Sequence, residues 1–352
     1  MLAVMKSLLS RRALAWLAAI SALVAIAHAA DTKSPIVKVA DIPMQRARMG
    51  AAIAPLGDYL YIFGGSGSIG TAPVQDAERL DLRTGKTEKV DGTFIARRQH
   101  GVFEHDGKFY LFGGEAYTLT ERPHADMIEV YDPATGKVTT AGKMPRPRAR
   151  FGTVKIGNEG WLVGGTKHKD GRYYAQTNEV EILDLPTLTW RQGPPMPTPR
   201  DAPVVVVGAF ALVPGGYSSK IARDEVEMWV PAEQVWKRLP KLGQTVSTHS
   251  AAFLGRWVFL FGDYEVGEQV LAYELSTRKT TKIAPGFLNT RRSAAITLGN
   301  RIYVVGGEAV DAGPAGGRNG GSVWNVGGTA YTGSERAVIQ VFELNPDYKP
   351  GP

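Results

Sequence analysis

The chain has 352 residues, 43% of them hydrophobic, with 41 glycines, 22 prolines and no cysteine. Without thiols it has no disulfides, no thiolate chemistry and no cysteine-ligated metal, and its fold depends on its own packing. The formal charge of +7 falls to +4 once the basic residues of the first 29 positions are removed, too mild to argue for a nucleic-acid partner.

The first 29 residues read as a cleaved signal peptide. Lys6, Arg11 and Arg12 precede an uncharged run from Ala13 to Ala27, and Ala27-His28-Ala29 has the small-x-small form of a peptidase site. The apolar run falls short of the roughly 20 residues a spanning helix needs, so a membrane anchor is the weaker reading. Ser10-Arg11-Arg12-Ala13-Leu14 partly matches a twin-arginine signal, with Ala15 where a second large apolar residue is usual. Cleavage after Ala29 is expected, with export to a bacterial periplasm or the medium and no membrane association afterwards. Loss of Lys6, Arg11 and Arg12 leaves 38 basic against 34 acidic residues, a net +4.

Ile36 to Pro43 then reads as a strand. After it a short apolar run ends at or near a glycine pair six times, about every 44 to 51 positions. The runs are Tyr59 to Gly65, Phe109 to Gly114, Trp161 to Gly165, Phe210 to Gly216, a degenerate Trp257 to Asp263, and Ile302 to Gly307. A fixed period of this length marks a repeat architecture. Each run is preceded by a basic or polar cluster and a small-residue strand, as in Arg148-Ala149-Arg150-Phe151-Gly152-Thr153-Val154. It is followed by a loop, an alternating strand such as Met127 to Asp132, a turn such as Asp132-Pro133-Ala134-Thr135-Gly136, and a fourth strand ending near Met-Pro. Four short strands per copy predict one antiparallel sheet per repeat. The stretch 309–334 departs from the pattern, with eight glycines around Trp324. A loop this long is functional or disordered, and a lid over one face is expected. The last copy supplies three strands, ending at Val338 to Leu344, so Ile36 to Pro43 is inferred to complete it.

The apolar strand ending in Gly-Gly, the Tyr-Asp strand end and the tryptophan of the fourth strand (Trp190, Trp236) resemble the kelch repeat over residues 36–345. The resemblance implies an all-β, six-bladed kelch-type β-propeller with four antiparallel strands per blade, its ring closed by the N-terminal strand. Separate blades cannot bury their faces alone, so residues 30–352 are expected to form one domain.

In a kelch-type blade the loops before the first strand and after the second emerge on one face. Aligned on the start of the first strand, Arg48, Gln99, Arg150, Ala202, Thr248 and Arg291 fall two residues before it. Arg46, Arg97, Arg148, Arg200, Val246 and Asn289 fall four before it, and His100, His249 and Arg292 one before it. Eight arginines thus gather near one channel mouth. Guanidinium groups bind carboxylate and phosphate bidentately, so the expected partner is an anionic small molecule, such as an acidic sugar, or an acidic protein surface. Arg48, Arg150, Arg291, Arg292, His100, His249, Tyr217 and Trp324 are the candidate ligand-binding residues. The competing reading is that individual arginines tie loops to neighbouring carbonyls.

Glu115 and Glu308 follow glycine pairs on the same face and are the candidate catalytic acids. The exported six-bladed kelch mutarotases, which epimerise N-acetylneuraminate, use a glutamate as acid/base and an arginine for the sialate carboxylate. Resemblance to them would give those parts to Glu115 or Glu308 with Arg150 or Arg291. No cofactor is expected. The Gly65-Ser66-Gly67-Ser68-Ile69-Gly70 match to a dinucleotide loop has no helix after it, and two histidines without further ligands do not define a metal site. The copper site of the galactose oxidase-like branch, with its tyrosine–cysteine crosslink, cannot form without cysteine.

Overall fold

The computed structural model describes residues 34–67, 71–116, 125–169, 172–309, 323–326, 329–332 and 337–349. Six four-stranded antiparallel sheets follow one another along the chain. Blade 1 is built from Ala52–Leu56, Tyr59–Phe63, Ala77–Asp81 and Lys86–Val90, and blade 2 from Gly101–His105, Lys108–Phe112, Met127–Asp132 and Lys137–Lys143. Gly152–Ile156, Glu159–Val163, Val180–Asp184 and Thr189–Gly193 form blade 3, and Val205–Val207, Phe210–Pro214, Val226–Val230 and Val235–Leu239 form blade 4. Ser250–Leu254, Trp257–Phe261, Val270–Glu274 and Thr280–Ile283 make blade 5. Blade 6 combines Ala294–Leu298, Arg301–Val305 and Val338–Leu344 with the N-terminal strand Ile36–Pro43, which pairs antiparallel with Val338–Leu344 from Ile36 opposite Leu344 to Pro43 opposite Val338.

The apolar runs are continuous because successive side chains of a second strand face opposite neighbours. In Tyr59–Phe63, Leu60 and Ile62 pack with Tyr303, Val305 and Ile339 of blade 6, while Tyr61 and Phe63 pack with Phe109, Leu111 and Tyr131 of blade 2. A buried apolar cluster of this kind fills each junction between successive blades, including that between blades 6 and 1. Each fully buried Phe or Leu contributes about 1.5–3 kcal/mol through loss of apolar surface from water. The outermost strands are the polar ones: Lys86, Glu88 and Lys89 are exposed, which blunts the free sheet edge.

The glycine pairs follow from the same packing. Gly164 and Gly165 adopt φ of +66° and +90°, and the Gly165 N–H donates to the Arg200 carbonyl of the next blade at 3.0 Å. A Cβ on Gly164 would lie 2.5 Å from that carbonyl oxygen. Gly157, with φ of +60°, faces open space. Gly164→Ala is therefore expected to lower stability by more than about 2 kcal/mol, against about 1 kcal/mol for Gly157→Ala, where only the left-handed backbone is penalised. Urea denaturation of both variants measures the difference; equal losses would remove the inter-blade contact as the reason for the pair.

The stretch 309–334 contains two paired strands, Val323–Val326 and Thr329–Thr332. The rest of the expected lid, Ala309 apart, lies outside the described residues, as do the signal segment 1–29, Tyr117 and the Trp324 side chain. No helix among the described residues is long and apolar enough to cross a membrane.

Candidate functional site

The blades are held in register at the axis by backbone hydrogen bonds that pass from one to the next. Gln99 N–H donates to Gly50 O at 2.6 Å, Arg150 N–H to Gln99 O at 3.0 Å, Arg292 N–H to Thr248 O at 2.7 Å and Gly50 N–H to Arg292 O at 2.9 Å. These residues all have left-handed φ: +63° at Gly50, +52° at Gln99, +59° at Arg150, +55° at Thr248 and +56° at Arg292. One ring of equivalent positions results: Gly50, Gln99, Arg150, Ala202, Thr248 and Arg292, in blades 1 to 6.

This ring corrects the expected one at two places. Arg48 does not stand at the mouth. It is buried, its Nε 2.8 Å from Glu78, its Nη2 2.5 Å from Asp76 and its Nη1 donating to Gly64 O at 2.7 Å. Its counterparts are Arg97, Arg148 and Arg200, each buried against a third-strand glutamate: Arg97 on Glu129 at 2.8 Å, Arg148 on Glu181 at 3.2 Å and Arg200 on Glu227 at 2.9 Å. In blade 6 the mouth position belongs to Arg292 rather than Arg291. Arg291 instead forms a bridge with Glu308, as Met49 does with Ser66 and Asp201 with Tyr217. Arg46 is half-exposed on Asp76. Of the eight arginines grouped by sequence, Arg150 and Arg292 line the cavity among the described residues.

That cavity, of about 1290 Å³, runs along the innermost strands. Arg150 and Arg292 come from blades 3 and 6, on opposite sides of a six-membered ring. Arg150 is 32% exposed and reaches Glu115 at 2.7 Å; Arg292 reaches Glu308 at 2.9 Å. Burial lowers the Arg292 guanidinium from its ordinary pKa; Glu308 opposes the shift, and the charges of Arg291 and Arg150 add to it. Exposed Tyr264 lies beneath Arg291, 4.5 Å from ring centroid to guanidinium carbon, and half-buried Tyr217 lies in the wall near Lys220 and Ile221.

Neither expected catalytic glutamate is among the residues that line the cavity. Glu115 is fully buried between Arg98, at 2.9 Å, and Arg150. Burial pushes its pKa up, but the two guanidinium groups outweigh this and hold the carboxyl below its usual value, so it stays ionised. Glu308 is enclosed in the same way by Arg291 at 3.2 Å and Arg292.

His100 and His249 occupy equivalent positions in blades 2 and 5, but they do not meet. Each ring packs against the preceding blade's first glycine, Gly64 or Gly215. Burial pushes His249 down to about 4 and His100 well below the imidazole range, so both are neutral at pH 7. No cluster of three or more metal-ligating side chains occurs among the described residues.

Sequence reasoning missed Asp201 and Arg98. Asp201 is 11% exposed in the cavity wall, accepts a hydrogen bond from Thr166 Oγ1 at 2.6 Å, and has Oδ2 3.9 Å from Arg150 Nη1. Burial pushes its carboxyl up to about 6 against the opposing pull of Arg150 and of hydrogen bonds from Thr166 and Gln176. The chain runs Arg98, Glu115, Arg150, Asp201 across blades 2, 3 and 4 with alternating charge. The equivalence of 201 with 149 and 291 was the available signal, hidden by the misaligned first and last copies.

Fold and mouth together define a kelch-repeat propeller with a polar axial site. Residues 50–263 match the KLHDC2/KLHL20/DRC7 kelch-repeats domain, more than half of the chain, and the chain belongs to the kelch-repeat family. Kelch repeat and BTB domain-containing protein 12 of Danio rerio is 27% identical over 212 residues, covering 54% of this chain and 34% of its own length. Acyl-CoA-binding domain-containing protein 4 of Arabidopsis thaliana is 26% identical over 245 residues, covering 62% of this chain and 35% of its own length. The chain thus spans about a third of each relative. A solved structure of YjhT superposes with a TM-score of 0.65 at 16% identity, over 83% of this chain and 95% of its own, which speaks for the fold.

Proposed function

We propose that this kelch propeller is a binding protein that takes the anionic group of its ligand between Arg150 and Arg292 at the channel mouth. The observation that carries this reading is the placement of two arginines at equivalent left-handed positions of opposite blades, both facing the cavity. Blade 1 puts glycine at that position. An arginine there costs about 1 kcal/mol of backbone strain, set against its ion pair with Glu115 or Glu308. The anion is that of an acidic sugar or another small acid rather than of a broad protein surface, because the two guanidinium groups sit in the wall of a cavity. We also propose export, on the strength of the basic and apolar pattern of residues 1–29.

The reading of the protein as a sialate-type mutarotase acting through Glu115 or Glu308 has less support. Both carboxylates are enclosed by guanidinium groups, whereas Asp201 is the wall carboxyl that exchanges a proton near neutrality.

Thermal-shift titration with sialate and glucuronate tests the binding reading. A ligand present at 100 times its Kd stabilises the folded state by about 2.7 kcal/mol, a rise of several degrees. The rise is expected to vanish in Arg150→Ala and Arg292→Ala and to persist in Arg301→Ala, whose half-exposed side chain pairs with Glu343. A shift that survives both mouth variants, or no shift with any acid, would overturn it.

A further inference from the structure

We infer that the acid group of the ligand is attached to an apolar ring or chain, which packs on Ile221 of blade 4 and Tyr264 of blade 5. This inference rests on the binding reading above and narrows its ligand from small acids at large to amphipathic ones.

Ile221, 55% exposed, and Tyr264, 48% exposed, are the two most exposed large hydrophobic side chains among the described residues, and both line the cavity. Apolar side chains scattered singly over a surface are ordinary. Two in one concave wall, beside charged groups, are what a site for an apolar group presents. Backbone contacts tie their loops together. Arg223, two residues beyond Ile221, bridges Val246 of blade 5. The next residue, Ser247, donates its N–H at 2.8 Å to the carboxylate of Asp263, which directly precedes Tyr264.

Each side chain is held from behind. Ile221 stands on a hairpin in which Tyr217–Ser218 pairs with Ile221–Ala222. Its turn residues, Ser219 and Lys220, have left-handed φ of +52° and +67°, a conformation that favours glycine or asparagine. The Ser219 N–H donates to Gln176 Oε1 of blade 3 at 3.4 Å. Tyr264 has the Arg291 guanidinium against its ring, 4.5 Å from the centroid, and its carbonyl accepts from Arg291 Nη1 at 2.7 Å.

The same cluster places the acid end. Glu308 Oε2 lies 3.2 Å from Arg291 and 2.9 Å from Arg292, two guanidinium groups on one carboxylate, so these three side chains together carry a positive charge. The Arg292 guanidinium carbon is 5.8 Å from the Tyr264 centroid. A carboxylate taken by Arg292 therefore has its neighbouring carbons beside the tyrosine ring, where apolar burial and offset stacking stabilise them. Of the acids in this part of the wall, Asp263 accepts from the backbone N–H groups of Ser247, Glu265 and Val266. Glu265 also lines the cavity, which makes an amine the necessary control.

Isothermal titration of the folded protein at pH 7.5 compares phenylacetate and cyclohexylacetate with acetate, and phenylacetate with 2-phenylethylamine. Both larger acids are expected to bind at least about tenfold more tightly than acetate, and phenylacetate more tightly than the amine. Ile221→Ser and Tyr264→Ser together should bring that advantage below about threefold, and Arg292→Ala should weaken all the acids. Val235→Ser, at an exposed position on the outer strand of blade 4, should leave the advantage unchanged. Ile221, Tyr264 and Val235 are exposed, so their variants are expected to fold, which melting curves check. Equal affinity for acetate and the larger acids, with glucuronate still raising the melting temperature in an Arg292-dependent way, overturns the inference and leaves the anion site standing. An advantage that survives the double variant overturns it too, since the apolar contact then lies elsewhere. Tighter binding of the amine than of phenylacetate, or failure of every acid to bind, overturns the inference and the binding reading together.

Discussion

Arg97→Ala is expected to lower the stability of the folded chain by about 3–5 kcal/mol, because it strands the Glu129 carboxylate in the interior. The Arg97 guanidinium is buried, 2.8 Å from Glu129, and donates to Gly113 O at 3.1 Å and Met127 O at 3.3 Å. Blade 5 shows what the fold accepts instead. Val246 and Leu271 occupy the two equivalent positions, both fully buried in one apolar cluster. A buried ion pair replaced on both sides by apolar groups of fitting shape is often close to neutral. The double variant Arg97→Val, Glu129→Leu is therefore expected to lose less than either single truncation. It keeps the cost of the orphaned backbone groups, about 1–3 kcal/mol, since the Ile95 N–H loses the Glu129 acceptor it holds at 2.8 Å and Gly113 O and Met127 O lose the Arg97 donor. A double-mutant cycle in urea settles it: additive losses would mean that the repeated Arg–Glu pairs are not coupled.

The second large effect concerns pH. An unfolded aspartate titrates near 3.9, while burial places Asp201 at about 6 in the folded state. The folded chain binds this proton more tightly, so the group's contribution to stability is fully present below about pH 4 and is lost as pH rises through 6. The loss amounts to about 3 kcal/mol at pH 8. Asp201→Asn removes the titration, so its melting temperature should gain on the parent's between pH 4.5 and 7.5 and then level off. A constant difference over that range would place Asp201 among ordinary exposed carboxylates.

The six blades and the N-terminal strand of the last blade were legible in the sequence because both rest on periodicity. Second strands buried on two faces must be apolar throughout, and glycine pairs that abut the next blade's carbonyl must stay glycine. The site was less legible. Arg46-Ala47-Arg48 and Arg148-Ala149-Arg150 share one tripeptide but sit two residues out of register, since Gly50 fills in blade 1 the place that Arg150 takes in blade 3. The spacing from each buried arginine to the first glycine it contacts, 16 residues for Arg48 to Gly64, Arg97 to Gly113 and Arg148 to Gly164, is the signal that fixes the register. Asp201 carries no local mark. Its environment comes from Arg150 and Thr166 of another blade, and burial at a blade junction is a property of the closed ring.

The most direct measurement is a difference electron-density map from crystals of the protein soaked in glucuronate. Ligand density at the channel mouth, with its carboxylate within hydrogen-bond distance of Arg150 and Arg292, is the expected result. Density at a blade edge or at the opposite mouth near Glu104 and Lys155, with the two arginines untouched, would contradict an axial anion site and turn attention to the outer surfaces of the propeller.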